Sequence, residues 1–141
     1  MTKTYTYFTD AGHGWLKVSL PELRDLGIVD SISAYSYLTL THAYLEEDCD
    51  LPKFIKALDE RGISYKIKDS YAHNSAIRGY GSYAAHLVHA DIKPGCTVKL
   101  WNGCKALFTK EGKNLLLKLG SVSYKVTSQK FFEYVTGLET C

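Results

Sequence analysis

Residues 4–19 are TYTYFTDAGHGWLKVS, and this stretch decides how the chain begins to fold. The segments TYTYFT (residues 4–9) and WLKVS (residues 15–19) are rich in β-forming residues that alternate with polar ones, as in half-buried strands. DAGHG (residues 10–14) lies between them and supplies the aspartate and the glycines that tight turns need. The sequence therefore predicts a β-hairpin whose tip carries an acid and a histidine beside a tryptophan.

Two helices are predicted after the hairpin. LPELRDLGI (residues 20–28) has a serine before it as a cap, a proline in its first turn and Gly27 as its end. LPKFIKALDERG (residues 51–62) has apolar residues at helical spacing on one face, and either Asp48 or Asp50 is placed to cap it. Both segments are therefore expected to pack one apolar face against a sheet.

Strand patterns fill the rest of the first half. They are SISAYSYLTL (residues 31–40), HAYLEE (residues 42–47) and ISYKIKDS (residues 63–70). Residues 1–70 thus predict the element order β-β-α-β-β-α-β. The expected fold class is α+β, with a small, mainly antiparallel sheet and two helices on one of its faces.

The second half of the chain has a different pattern. Residues 71–93 are predicted to bridge two lobes and to hold a short helix, SYAAHLVHA, capped by Ser82. In residues 94–141, four predicted strands (CTVKLW, KALFTK, NLLLKL and SVSYKVT) alternate with glycine turns, and SQKFFEYV forms a short helix or a last strand. This pattern predicts a small β-meander with an SH3-like opening, IKPGCTVKLWNG, that packs on the first lobe.

The composition bounds the class of protein. The chain has 141 residues, of which 45% are hydrophobic and 23% charged, as is ordinary for a soluble globular protein. No apolar run approaches the ~20 residues that span a bilayer, and MTKTYTYFTD lacks the apolar core of a secretory signal. We therefore expect a cytoplasmic protein with no membrane partner. Its four cysteines, which we expect to be reduced, are Cys49, Cys96, Cys104 and Cys141.

The acidic residues near the hairpin suggest one candidate site. Asp10 and His13 can meet the run LEEDCD (residues 45–50) at one edge of the sheet, where an imidazole and carboxylates could bind a divalent metal or act as an acid–base pair. The structural alternative is that Asp10 stabilises the turn and that the acids favour the start of the following helix. No metal-binding spacing such as HExxH decides between the two.

A zinc site is a further alternative. His86 and His89 are spaced as helical neighbours, and Cys96 and Cys104 follow them. The cysteines do not form a C-x2-C pair, so an ordinary amphipathic helix is the favoured interpretation. No cofactor is predicted, and no G-x-S-x-G, Walker A or GxGxxG pattern is present.

The 11 tyrosines suit a binding surface, because tyrosine and arginine are frequent anchors of protein interfaces. The alternative is that some of these rings, about half of them, pack in the core. An acidic rim beside them can steer a basic partner. The residues that we predict to contact a partner protein are Asp10, His13, Trp15, Tyr35, Tyr37, Glu46, Glu47, Asp48, Arg78 and Tyr80.

Charge is divided unequally along the chain. Residues 1–70 hold 8 Lys or Arg against 11 Asp or Glu, whereas residues 71–141 hold 9 against 4. Lysines near aromatic residues in the second half can hold a phosphate backbone and stack bases. The residues predicted for such a nucleic-acid contact are Lys99, Lys105, Lys113 and Lys125. The alternative is that these lysines are the solvent face of short strands, and the single arginine of this half favours that alternative.

The opening YFTDAGHGWLKVSLPELRDLGI, with ISAYSY, AYLEEDCD and IRGYGSY after it, resembles small uncharacterised proteins of bacteriophages, prophages and other mobile elements. The likeness covers roughly the first 80 residues, with F-T-D-x-G-H-G-W as its most distinctive part. It implies a setting in the bacterial cytoplasm, where small accessory proteins commonly inhibit a host defence complex such as a CRISPR effector.

These observations lead to one favoured hypothesis of function. We predict a non-enzymatic phage or mobile-element accessory protein that binds a host protein complex through its acidic, tyrosine-rich lobe. The alternatives are a metal-dependent hydrolase or nuclease that uses Asp10, His13 and the acids of residues 46–50, and a nucleic-acid-binding module on the basic lobe.

Overall fold

The computed structural model describes residues 2–72 and 76–141 of the chain. The chain divides into two compact units, Met1–Ala85 and His86–Cys141. Residues 73–75 of the predicted bridge lie outside the described residues. The fold class is α+β, as the sequence predicted, with two mostly antiparallel sheets.

The first unit is built on a six-stranded sheet. Its strands are β1 (Lys3–Thr9), β2 (Gly14–Ser19), β3 (Tyr37–Leu38), β4 (His42–Glu46), β5 (Tyr65–Tyr71) and β6 (Gly81–Ser82). Its helices are α1 (Leu20–Leu26) and α2 (Leu51–Glu60), with 3-10 turns at Val29–Ser31 and Ala76–Gly79. The strand order is β5-β1-β2-β4-β3-β6, and all neighbours are antiparallel except the parallel pair of β1 and β5. The predicted hairpin and the predicted order of strands and helices through β5 are confirmed.

The two helices begin as their sequences suggest, with one difference. The Ser19 hydroxyl accepts a hydrogen bond from the Glu22 N–H, and Gly27 ends α1 in the left-handed conformation at φ +70°. Asp50 occupies the cap position of α2, but its carboxylate forms no hydrogen bond with the N–H groups of that helix. The predicted capping hydrogen bond is therefore wrong, because the Asp50 carboxylate accepts its hydrogen bonds from Ser33 and Ser36 in a neighbouring loop.

The predicted strand at residues 31–40 is much shorter in the structure. Only Tyr37 and Leu38 pair with β4, and a 3-10 turn occupies Val29–Ser31. The side chains of Ser33 and Ser36 turn toward Asp50. Serine side chains that bind locally compete with the strand ladder, and this competition explains the difference.

Both faces of the central strands are covered. Alternation along β2 sends Leu16 and Val18 to the face that packs against the helices and Trp15 to the other face. On the helical side, the Tyr5 and Phe54 rings meet edge to face at 5.1 Å. On the other face, Tyr44 and Ile77 pack with Trp15, which explains why Trp15 is only 2% exposed although it follows the hairpin turn.

Gly14 must be a glycine because of the space around it. A Cβ there would lie 2.1 Å from the Tyr7 hydroxyl oxygen, since the Tyr7 ring crosses this backbone to reach Glu47. We expect Gly14→Ala to lower the free energy of unfolding by about 1–3 kcal/mol, because Tyr7 has to move away. Urea denaturation measures the change, with Gly79→Ala as the control because its Cβ would meet nothing within 4 Å. Equal midpoints for the two variants would contradict this packing.

The second unit is built on a five-stranded antiparallel sheet. Its strands are β7 (Thr97–Leu100), β8 (Lys105–Glu111), β9 (Asn114–Leu119), β10 (Val122–Val126) and β11 (Val135–Thr140). Helix α3 (Ala85–Ala90) precedes the sheet, and α4 (Ser128–Tyr134) separates β10 from β11. The strand order is β10-β9-β8-β7-β11. Strands β7 to β10 form the predicted meander, and β11 pairs with β7 at its edge. SQKFFEYV supplies the predicted short helix, whereas β11 was not predicted.

Two details of the second half differ from the sequence prediction. Ser82 does not cap α3, because it lies in strand β6, where it pairs with Tyr37 of β3. The helix begins only at Ala85. Cys96 and Cys141 form a disulfide, so the prediction of reduced thiols is wrong for this pair. Cys49 and Cys104 are free and exposed.

Candidate functional site

A pocket of about 250 Å³ opens beside the hairpin tip in the first unit, and we call it the hairpin pocket. Four separate segments build it: the hairpin, the loop into β3, the turn from β4 to α2, and the 3-10 turn at Ala76–Gly79. Its lining residues are His13, Trp15, Tyr35, Tyr37, Glu46, Asp48, Cys49 and Arg78. Seven of the ten residues predicted for partner contact therefore line one pocket.

Asp10 shapes the hairpin tip and holds Arg78. Its Oδ1 accepts hydrogen bonds from the N–H groups of Gly12 and His13 at 3.0 and 2.9 Å, as in an Asx turn. Arg78 donates from Nε to Oδ2 at 2.6 Å and from its Nη2 to Oδ1 at 3.0 Å. The guanidinium also lies 5.1 Å from the centre of the Trp15 ring, within cation–π range.

The charge of Arg78 is therefore balanced inside the site. Its guanidinium, together with the turn N–H groups, holds the pKa of Asp10 well below its usual range. Asp10 is thus a fixed carboxylate that neutralises an arginine. Its carboxylate is not among the described groups that come within 4.8 Å of one another beside the His13 ring, so it does not join the metal set proposed for it from the sequence.

Three side chains come close enough to share a cation. One ligand atom each of His13, Glu46 and Glu47 lies within 4.8 Å of the others. Glu46 Oε2 accepts from the N–H groups of Asp48 and Cys49 at 3.0 and 2.7 Å, which fixes the turn into α2. A nitrogen ligand with two carboxylates is a set that divalent metals accept.

Tyr7 donates a hydrogen bond to Glu47 Oε2 at 2.8 Å. Burial, followed by this hydrogen bond and the neighbouring acids, raises the pKa of Tyr7 from 10.0 to about 12. The raised value means that Tyr7 contributes stability below pH 10 and that this contribution is lost as the pH rises toward 12. We expect the difference between alkaline absorbance titrations of the wild-type protein and Tyr7→Phe to show a phenolate with a midpoint near 12. A midpoint near 10 would contradict the Tyr7–Glu47 contact.

Asp50 stabilises the loop that brings two tyrosines to the pocket. It is fully buried and accepts hydrogen bonds from the Ser33 N–H at 2.9 Å, from the Ser33 hydroxyl at 2.7 Å and from the Ser36 hydroxyl. The Ser36 oxygen in turn accepts from the Glu46 N–H at 2.9 Å. Sequence reasoning missed this role, because Asp50 is one of several acids in its run and only the fold selects it.

An aromatic cluster lies behind the pocket on the same sheet face. Trp15, Tyr44 and Ile77 are its buried centre, and Phe8, Tyr37 and Tyr80 pack against them. The Tyr44 and Tyr80 ring centres are 5.0 Å apart, and those of Trp15 and Tyr37 are 6.1 Å apart. Tyr80 was predicted for partner contact, but it packs in this cluster and does not line the pocket. Glu47 does not line the pocket either and belongs to the group with His13 and Glu46.

Cys49 contributes a thiol to the pocket wall. Its hydrogen bond with Glu46 and the nearby acids raise the pKa of the thiol. A scarce thiolate does not favour a nucleophile.

The residues predicted for other chemistry are more dispersed. Lys99 and Lys105 both pair with Glu139, at 3.8 and 2.9 Å, so one carboxylate offsets half of their combined charge. Lys113 lies in the turn between β8 and β9, and Lys125 lies in β10. The zinc alternative is wrong, because Cys96 is bonded to Cys141 and the His86 ring nitrogen Nε2 is 2.9 Å from the Thr136 carbonyl oxygen.

Comparison with known proteins found no match to this chain among family models, curated proteins or solved structures. Within residues 2–72 and 76–141, no helix has the length and apolar character needed to cross a membrane.

Proposed function

We propose that this protein acts by binding a partner protein, and that the hairpin pocket receives a basic side chain of that partner. The observation that carries the proposal is the convergence of three aromatic rings and two carboxylates from four chain segments on one pocket. Residues so far apart in sequence meet there only because the fold brings them together.

The charge of the pocket favours a cation. Glu46 and Asp48 line it, and Glu47 lies next to Glu46. Among the described residues that line it, Arg78 is the one arginine or lysine, and Asp10 already balances it. The pocket therefore has an excess of negative charge that a lysine or arginine can neutralise.

The rings favour the same ligand. Tyr35 is 73% exposed at the pocket, whereas Trp15 and Tyr37 are held in the aromatic cluster. An aromatic face attracts an ammonium or guanidinium group, most strongly where water is partly excluded. Aromatic rings beside carboxylates thus form a suitable binding site for a basic anchor residue of the partner.

We further propose the biological setting that the opening motif suggested. The partner would be a component of a bacterial defence complex, such as a CRISPR effector, and binding would block one of its surfaces. Many of these effectors handle nucleic acid and therefore expose basic surfaces, which suit an acidic pocket.

Paired double variants test the proposal. Tyr35→Ala/Asp48→Asn removes an exposed ring and a charge at the pocket, while Tyr71→Ala/Asp69→Asn makes the same chemical change on β5. Each version is used as bait in nuclease-treated bacterial lysate, and the retained proteins are quantified by mass spectrometry. We expect one stoichiometric partner whose retention falls about tenfold or more with the pocket variant only, which corresponds to roughly 1.4 kcal/mol. Equal retention by both variants would contradict the pocket as the contact.

The group of His13, Glu46 and Glu47 favours a second candidate, a metal-dependent hydrolase. It predicts that Mn²⁺ raises the melting temperature of the wild-type protein and that His13→Gln removes the shift. The partner-binding proposal predicts no such shift.

A further inference from the structure

The second unit has a pocket of its own, of about 350 Å³, at the open edge of its sheet. Leu100, Leu117 and Leu119 contribute apolar side chains to it. Leu117 pairs with Tyr124 across β9 and β10, so the two side chains share one face of the sheet. The pocket is thus the uncovered end of the inner face of the meander.

Aromatic rings form the rim of this pocket. Trp101 is 68% exposed and Tyr124 is 54% exposed, and both line it with Tyr134. The Trp101 N–H donates to the Tyr134 carbonyl at 2.9 Å, which fixes the turn that carries Trp101 beside the end of α4. Large rings held on a rigid backbone and left in solvent are typical of a binding surface.

The charge at the rim is positive. Lys125 and Lys130 are the only charged residues among the described residues that line the pocket. Lys130 lies one turn before Tyr134 on α4 and forms a 3.1 Å ion pair with Glu133. Alternation along β10 places the Lys125 side chain on the face of the sheet opposite Tyr124. The unit as a whole, residues 86–141, holds 8 lysines against 4 acids, and Lys99 and Lys105 share one of those acids.

We infer that this pocket binds single-stranded nucleic acid, with a base stacked on Trp101 and Tyr124 and a phosphate held by Lys130. Stacking on aromatic side chains beside lysines is how sequence-tolerant single-strand sites work. The volume lies at the lower end of the range for small-molecule sites and suits one nucleotide. The cationic rim favours this ligand over an apolar or basic peptide. The inference is independent of the hairpin pocket, whose residues all lie in the other unit.

A fluorescence titration of the full chain tests the inference. A short fluorescein-labelled oligothymidine is titrated at low salt while its anisotropy and the tryptophan emission are recorded. Trp15 is buried in the first unit, so quenching on binding is expected to come from Trp101. We expect Trp101→Ala and Tyr124→Ala each to weaken binding about tenfold. Lys130→Gln is expected to reduce the slope of log K against log salt by about 0.7.

Lys99→Gln is the control, because its side chain is paired with an acid, as that of Lys130 is, but does not line the pocket. It should leave the affinity within about twofold. Three results would overturn the inference: no rise in anisotropy, an equal loss in Lys99→Gln and Trp101→Ala, or equal affinity for a duplex of the same length. Because both rings are exposed, their loss should leave the melting temperature of the chain unchanged, and that measurement accompanies each titration.

Discussion

Replacing Asp50 with alanine is expected to lower the free energy of unfolding by ~3–5 kcal/mol, the range for removing one partner of a buried charge network. Asp50 has no exposed surface. Its carboxylate accepts hydrogen bonds from Ser33 and Ser36 and forms a 3.1 Å ion pair with Lys53. Alanine would leave the Ser33 N–H and two hydroxyls without this acceptor in a buried or partly buried site. Such unsatisfied donors cost more free energy than a site in which the hydrogen bonds were never formed.

The same substitution is expected to disorganise the hairpin pocket, because Ser33 and Ser36 flank Tyr35 in the loop that Asp50 holds. Urea denaturation followed by the emission of Trp15, in a Trp101→Phe background, reports on the first unit alone. Asp50→Asn keeps one acceptor oxygen and should fall between the wild-type protein and Asp50→Ala. Asp48→Asn is the exposed control and should change the free energy of unfolding by less than about 0.5 kcal/mol. An Asp50→Ala midpoint equal to that of Asp48→Asn would contradict the network.

Removing the Cys96–Cys141 disulfide is the second large change. The bond joins residues 45 apart, and a loop of that length corresponds to ~4 kcal/mol in the chain-entropy account of disulfides. Residues 86–141 form a small unit, for which a total stability of roughly 3–8 kcal/mol is ordinary. Loss of the bond is therefore expected to remove half or more of that stability.

Hydrogen exchange resolves this effect within the second unit. We expect Cys96→Ser/Cys141→Ser to lose protection across β7 and β11, the two strands that the bond joins at the end of the chain. Cys49→Ser/Cys104→Ser removes the two exposed free thiols and serves as the control. Unchanged protection in the first double variant would show that the strand pairing alone holds β11 in place.

Local patterns were sufficient for much of the fold. The hairpin, both helices of the first unit and the four-strand meander follow from alternation, helical spacing and turn residues, all of which act within a few positions of the chain. Strand β11 was not predicted because its pairing with β7 shifts register at Gly137 and Thr140, and such irregular strands do not alternate cleanly.

The contacts within the candidate site could not be predicted from the sequence. Its residue types were predicted, but the contact of Asp10 with Arg78 spans 68 positions, and no local pattern specifies a partner at that distance. Asp50 and Glu46 looked alike as members of one acidic run. Only the fold separates them, because Asp50 is buried beneath two serines while Glu46 faces the pocket. The disulfide was missed for a related reason, since composition informs on the compartment and not on which thiols meet.

The most direct test of the central claim is a site-specific photocrosslink from the hairpin pocket. A photoreactive phenylalanine is placed at Tyr35 or, as the control, at Tyr71, which is 66% exposed on β5 and does not line the pocket. Both proteins are expressed in bacterial cells and illuminated, and the crosslinked peptides are sequenced by mass spectrometry. The account predicts that position 35 crosslinks to one lysine- or arginine-containing segment of a single protein and that position 71 does not. Crosslinks that are the same from both positions, or that lead from position 35 only to acidic or unrelated segments, would contradict it.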